Sequence, residues 1–354
     1  MINVVLGSFF GDEGKGQCVN NLVTSPKCIV VRFSGGSQVG HNVRHGSLRH
    51  CFSNFGSGTL KGIPTYWSEY CLVDPYTTAL EYKDLMELGG IRPKIIYSPK
   101  CQVITPFDVW AQWIDQENRE HGTVGCGIWS TLKRVDGGYR LNMIDCLNPI
   151  VLREKLKGIQ DSYYSGLVGE GSLVTSGRFS IDSWVNAVSY FVKNVRLMKW
   201  EDIKEDYEDM IFEGSQGILL DQDHGVMPYC TPSYTTSKNA MEMIGTTKEE
   251  VIVNYVCRPY ITRHGPGPLL TTTRILDVID ENNKYNEYQR SFRSCEFDIE
   301  LLKHSLGVDS LYHSKNTRGR IVMSHGMEAE DSLVRRIEEE TGYEVRKFEY
   351  EDWL

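Results

Sequence analysis

Residues 3–16 read NVVLGSFFGDEGKG, and how this stretch folds decides the rest of the chain. Asn3–Gly7 is a short apolar run, rich in valine, that stops at a glycine. A glycine-rich turn follows, and Gly16–Val23 has helical potential. The pattern predicts a strand, a loop and a helix, which is the local plan of a phosphate cradle: backbone amides at a helix N-terminus favour negative charge. A Walker A loop, GxxxxGK[ST], would end on a hydroxyl. Here Gly16 stands in that place and the first glycine is at the wrong spacing, so the segment resembles a P-loop without being one. Inside it sits the acidic pair Asp12–Glu13. Asp12 can serve a divalent cation or take a proton from a substrate, whereas an acidic first helical turn favoured by the helix dipole would explain the pair on its own.

Working outward, Ile29–Phe33 is a second predicted strand that ends in SGGSQVGH, residues 34–41. Two strands that each end in a glycine-rich turn point to an α/β fold with a mainly parallel sheet, whose ligands gather at the strand C-termini. The same pattern recurs at Lys94–Tyr97, at Met210–Phe212 before EGSQG, at Val251–Tyr255 before RPYITRHGPGP, and at Gly319–Met323 before SHG. Helices are expected at Thr78–Leu88, Ser183–Leu197, Ile299–Leu306 and Glu328–Thr341. No repeat or long linker divides the chain, so residues 1–354 read as a single domain with long active-site loops.

Composition narrows the function. The net charge of −9 argues against a nucleic-acid or anionic-membrane surface, and no apolar run reaches the length of a membrane span. The start lacks the basic and small-residue features of a signal peptide, which gives a cytoplasmic expectation. Ten cysteines occur without a CxxC pair or metal-ligand spacing, so they read as reduced, buried side chains.

Other groups with chemistry stand in the turns. His41 can donate to a developing oxyanion or act as an acid. In EGSQGILLDQDHG and PYCTPSYTT, Gln216 and Thr231 can donate to phosphate. Asp221, Asp223 and His224 look like metal ligands, but without a further histidine cluster the loop-structuring reading is preferred. Arg290 and Arg293 in YQRSFR suit bidentate carboxylate binding, or solvent.

In order along the chain, GDEGKG, GGSQVGH, HGTVGCGI, FEGSQGILLDQDHG, PYCT and TRHGPGP resemble the adenylosuccinate synthetase superfamily, from near residue 3 to past residue 320. The resemblance implies a central, mainly parallel sheet flanked by helices, related to P-loop folds, and a homodimer. It implies a magnesium-dependent ligation of L-aspartate to a 6-oxopurine mononucleotide at the expense of a nucleoside triphosphate. Asp12 would remove the N1 proton, His41 would support charge on O6, and Lys15 would lie at the transferred phosphoryl group. Asp12 and the Gly40 carbonyl match magnesium ligands. Nucleotide contacts carry over to Gly11, Asp12, Glu13, Gly14, Lys15, Gly16, Gln38, Gly40, His41, Thr123, Val124, Gln216 and Thr231, and the aspartate contacts to Arg290 and Arg293.

Departures from the family bear on its substrates. Placing DSLYHSKNTRGR on the TKLD segment that reads guanine in the triphosphate puts Lys315 on its lysine and Thr317 on its aspartate, leaving Lys315 and Asn316 as the residues nearest the donor base. A threonine cannot replace a carboxylate as the paired acceptor. The STGP loop becomes MSHG at 323–326, and the arginine-rich aspartate loop is shortened. This set is most similar to the viral N6-succino-2-amino-2′-deoxyadenylate synthases, which implies dGMP as acceptor and ATP or dATP as donor. Some members of that branch replace the catalytic aspartate by a small residue, whereas this chain keeps Asp12. IMP with GTP is the alternative pair.

Overall fold

The computed structural model describes residues 1–89, 91–115, 124–165, 180–278 and 292–348. Its centre is a nine-stranded sheet. In chain order the strands are β1 (Ile2–Gly7), β2 (Cys28–Arg32), β3 (Thr65–Trp67), β4 (Ile95–Tyr97), β5 (Arg196–Leu197), β6 (Asp209–Glu213), β7 (Val251–Cys257), β8 (Thr317–Ser324) and β9 (Val345–Phe348). In space they run β9-β8-β7-β1-β6-β2-β3-β4-β5, and each ladder between described neighbours is parallel.

Parallel strands are covered on both faces, so their sequences are continuous apolar runs and not alternating ones. INVVLG and CIVVR are buried at every position. Val4, Leu6, Val31, Phe212, Val253 and Ile321 pack on one face with residues of the helices Lys238–Ile244, Ile299–Ser310 and Asp331–Thr341. Val5, Val30, Ile211 and Val256 pack on the other with Cys18 and Val19 of α1 (Lys15–Leu22). Trp67 and Tyr97 extend that second face under the helices Pro75–Glu87, Pro149–Gly158 and Ile181–Val192.

The expected strands appear where the apolar runs place them, with differences elsewhere. The helix expected at Ser183–Leu197 stops at Val192, because Asn194 turns back onto the Phe191 carbonyl and Arg196–Leu197 pairs with β4 as β5. The helix expected from Glu328 starts at Asp331, after a 3-10 turn at Gly326–Glu328. An antiparallel hairpin, His41–His45 with Leu48–Phe52, follows the turn after β2. A small antiparallel sheet is built from Tyr260–His264, Phe292–Glu296 and Ile275–Leu276. Among the described residues no helix is long and apolar enough to cross a membrane.

β1 lies between β6 and β7, so the turns after all three emerge side by side. The turns after β1 and β6 touch backbone to backbone: Leu219 N–H donates to the Phe9 carbonyl at 2.9 Å. A Cβ on Gly217 would stand 2.6 Å from the Phe9 carbonyl carbon and 2.7 Å from the Gly11 nitrogen. Neither atom belongs to a side chain that can swing away. Gly217→Ala is therefore expected to lower unfolding stability by ~1–3 kcal/mol, read as a shifted urea midpoint, and to move the Gly11–Asp12 turn. An unchanged midpoint would show that the two turns part freely.

Candidate active site

The turns at the C-terminal ends of β1, β2, β6, β7 and β8 enclose a cavity of about 810 Å³. Gly11, Asp12, Glu13, Gly14, Lys15, Gly16, Gln38, Gly40, His41, Val124, Gln216 and Thr231 all line it. Thr123 and Arg290 lie outside the described residues.

The turn after β1 is held in an unfavourable backbone conformation. Gly11 and Gly14 have φ of 100° and 96°, and Asp12, which carries a Cβ, has φ of 60°. A non-glycine residue in the left-handed region costs energy that the surroundings must offset. Four hydrogen bonds from β8 and the segment after β7 do so. Arg258 Nε donates to the Asp12 carbonyl at 2.6 Å, Thr262 Oγ1 to the Gly11 carbonyl at 3.0 Å, and Ser324 Oγ to the Glu13 carbonyl at 2.7 Å. His264 Nδ1 lies 2.8 Å from Asp12 Oδ2.

Under these constraints the two adjacent acids behave in opposite ways. Burial works against ionisation of Asp12, but the bond and charge of His264, with Arg258 and Lys15, hold its carboxyl below the usual range. About a third of the side chain stays open to the cavity. Glu13 is turned inward and is 2% exposed, with Oε1 accepting the Phe9 N–H at 2.5 Å and Oε2 without a partner among the described residues. Burial pushes its carboxyl up to about 8, so at neutral pH it is mostly protonated. One acid is a charged group at the cavity and the other a neutral prop beneath it, which is how one site separates acid from base. Lys15 is lowered by its burial, against the pull of Glu13, Asp12 and Glu213. No hydrogen bond to its ammonium is seen among the described residues.

A second carboxylate–histidine pair faces the same space. His41 Nδ1 lies 2.7 Å from Glu213 Oε1, and Glu213, fully buried at the end of β6, also accepts from the Ser57 amide and hydroxyl. Burial of Glu213 opposes its charge, yet His41 and Arg32 hold its carboxyl below the usual range. Burial lowers His41, against the opposing effect of Glu213. An ionised carboxylate only accepts, so Nδ1 carries the hydrogen and Nε2 is turned away from Glu213.

Among the described residues, buried polar atoms without partners gather at this cavity: Gln38 Nε2, His41 Nε2, Gln216 Oε1, Arg263 Nε and His264 Nε2. Buried polar groups are ordinarily satisfied, so such a cluster marks where a polar ligand completes the network.

Lys315, Asn316 and Arg293 are placed elsewhere. Lys315 and Asn316 precede β8, at the opposite end of the strand from the cavity, in a separate depression with Lys248, Glu250 and Arg318. Asn316 Nδ2 is engaged with the Thr247 carbonyl at 2.8 Å. The residue of this region that reaches the cavity is His325, just after β8, because ligand turns follow strand C-termini and Lys315–Asn316 leads into a strand's start. Arg293 does not line the cavity; its Nη2 donates to the Gly265 and Gly267 carbonyls and stiffens that turn from behind. Asp221 structures its loop, accepting from the amides of Asp223, Thr235 and Thr236, and His224 meets Tyr312.

Glu213, Arg258, Arg263 and His264 also belong to the site, and each lies in or beside one of the motifs, EGSQG or RPYITRHGPGP. Arg263 donates to the Pro268 and Tyr229 carbonyls, stacks 4.3 Å over Phe10, and is pushed down to about 10 by burial and by Arg293. The available signal was alternation: in Tyr260–His264, Thr262 and His264 share the face that meets the Gly11–Asp12 turn.

A sequence model described as Adenylosuccinate synthetase matches residues 4–317. An adenylosuccinate synthetase of Halobacterium salinarum is 29% identical over 331 residues, 86% of this chain and 74% of that protein. One of Xylella fastidiosa is 28% identical over 331 residues, 87% of this chain and 74% of that protein. In structure, the fully ligated adenylosuccinate synthetase of Plasmodium falciparum aligns with a TM-score of 0.71 at 18% identity, covering 92% of this chain and 76% of the other. The succinoaminodeoxyadenylate synthetase of cyanophage S-2L, bound to dGMP and dATP, aligns with a TM-score of 0.67 at 13% identity, covering 98% and 90%. With the family match running from β1 to the start of β8, the chain belongs to the adenylosuccinate synthetase family of carbon–nitrogen ligases.

Proposed function

We propose that this ligase joins L-aspartate to the 6-oxo carbon of dGMP, with ATP or dATP as phosphoryl donor, to give N6-succino-2-amino-2′-deoxyadenylate. One observation carries the choice of donor. Among the described residues, the carboxylates lining the cavity are Asp12, tied to His264, and Glu13, turned inward. At the cavity end of β8 stand Ser324 and His325. Among the described residues no further acidic side chain lines the cavity to accept from the N1–H and 2-amino edge of a guanine donor base, and an unpaired donor edge costs roughly 1–3 kcal/mol. The cyanophage enzyme that shares the fold along 98% of this chain binds dGMP and dATP, which supports the same pair here.

In the first step the Asp12 carboxylate takes the N1 proton. The N–H electrons form N1=C6, and the C6=O electrons move onto O6. O6 attacks the γ-phosphorus as the bond to the β-phosphate oxygen breaks. Lys15, free of protein hydrogen bonds among the described residues, balances charge on the transferred group. The triphosphate's own charge favours protonation of His41, whose Nε2–H then faces O6. In the second step the aspartate amine attacks C6, phosphate leaves with the C–O pair, and the nitrogen gives up one proton to the departing phosphate. An amide-like oxygen leaves poorly and a phosphate ester well, so the task is positioning and charge neutralisation.

Magnesium fits the oxygen donors present. Asp12 and the Gly40 carbonyl would hold it, with phosphates and water filling the other positions, as this ion prefers. When bound it neutralises phosphate charge.

The second reading, an ordinary adenylosuccinate synthetase using IMP and GTP, draws on the retained Asp12 and on the curated relatives of that name. Purified protein with aspartate and magnesium, offered dGMP, GMP or IMP against ATP, dATP or GTP, is expected to form succinyl product best with dGMP and an adenine donor. Turnover confined to IMP with GTP overturns the proposal. Glu213→Gln keeps the shape but removes the charge that orients and supports His41; kcat should fall ~100-fold with a much smaller change in nucleotide KM. An unchanged kcat would remove His41 from the reaction.

A further inference from the structure

Arg32 is a charged side chain that the reaction above leaves without a task. It is the last residue of β2, it is fully buried, and it is not among the residues that line the cavity. Its Nε, Nη1 and Nη2 have no hydrogen-bond partner among the described residues. A guanidinium is not deprotonated in proteins, so it cannot avoid the cost of burial by losing a proton, as a buried lysine or histidine can. A buried charge without a counter-charge is strongly destabilising, and the fold has to balance this one.

The register of the sheet supplies the balance. Arg32 pairs with Glu213 of β6 on one side and with Trp67 of β3 on the other. Val30 and Ile211, two positions earlier on their strands, pack with Cys18 and Val19 of α1. Side chains two apart share a face, so Arg32 and Glu213 also project toward α1. At the cavity end of the sheet the row on that face is therefore carboxylate, guanidinium, indole. Arg32 Cζ lies 5.4 Å from the centroid of the Trp67 ring, and that ring is fixed by Nε1 donating to the Asn54 carbonyl at 2.6 Å. With the indole closing one side, the neighbour of the guanidinium on the other is Glu213. Glu213 is itself fully buried; its oxygens accept from the Ser57 amide and hydroxyl, and Oε1 meets His41 Nδ1 at 2.7 Å. Burial opposes its charge, and His41 and Arg32 both hold its carboxyl below the usual range. Of those two cations only the guanidinium is permanent. We propose that Arg32 is a positioning residue for the ligase: it holds the Glu213 carboxylate in place from within the sheet, and Glu213 holds His41 toward the cavity. This rests on the use of His41 in the proposed reaction.

A double-mutant cycle tests it. Wild type, R32M, R32K, E213Q and R32M/E213Q are assayed as full chains with aspartate, magnesium and the acceptor and donor that the wild type uses best, and each is unfolded in urea. R32M is expected to lower kcat about tenfold or more while nucleotide KM moves less than about threefold, and R32K to recover part of the loss. In the E213Q background R32M is expected to lower kcat no further, because the carboxylate through which Arg32 acts is already neutral. The urea midpoint reads the charges directly. Each single neutralisation leaves one buried charge uncompensated and lowers the midpoint, whereas the double variant lacks both charges and is expected to unfold at a higher midpoint than E213Q. Where R32M alone does not fold, this rescue is read from E213Q and the double variant. A double variant no more stable than E213Q, or an R32M loss of kcat that is the same in both backgrounds, overturns the role of Arg32 and leaves the proposed reaction standing. An unchanged kcat in E213Q overturns the use of His41, and this inference with it.

Discussion

The site depends on one strained turn. Asp12 carries a side chain at φ of 60°, between two glycines that are also left-handed. Such a conformation persists only where its surroundings impose it, and here they do so through Arg258, Thr262, Ser324 and His264. Three of these four belong to the segment that leaves β7, two of them to the small antiparallel sheet, and the fourth ends β8. The catalytic loop is thus positioned less by its own sequence than by what two neighbouring strands deliver against it.

That delivery explains the architecture around it. A parallel sheet brings its strand C-termini to one edge, and β1 at its centre has β6 and β7 as neighbours. β6 supplies Glu213 and Gln216 from one side, and β7 leads into Arg258, Arg263 and His264 on the other. The result is two carboxylate–histidine pairs whose ring nitrogens at Nε2 have no partner among the described residues. Each pair fixes the orientation of its ring before any ligand arrives, so reorganisation during the reaction is small. The antiparallel hairpin after β2 has its own part, since His41 is its first residue and Asn42, Arg49 and Cys51 also reach the cavity.

Much of the cavity wall was legible in the motifs, because a glycine-rich turn after a buried apolar run is a local signal. GDEGKG, GGSQVGH and EGSQG all come to the same space, with Val124 and Thr231 beside them. The donor-base residues were not legible. Lys315 and Asn316 precede β8, and so lie at the edge of the sheet where strands begin, away from the ligand turns. Arg293 carried the right chemistry, but its register against Arg263 turns it to the back of the Gly265–Gly267 turn. The short strands β3, β5 and β9 lacked the length that makes periodicity readable.

By itself the sequence determined the class of fold and the edge at which ligands gather. Both follow from short-range features: buried β-branched runs, the glycines that end them, and the helices that cover them. Only the tertiary structure decided which of two adjacent acids carries charge. Asp12 and Glu13 are neighbours in the chain, yet their ionisation is set by groups the chain brings back from far away. His264 reaches Asp12 across 252 residues, and His41 meets Glu213 across 172. Charge states depend on burial and on close partners, and neither is written in the order of the residues.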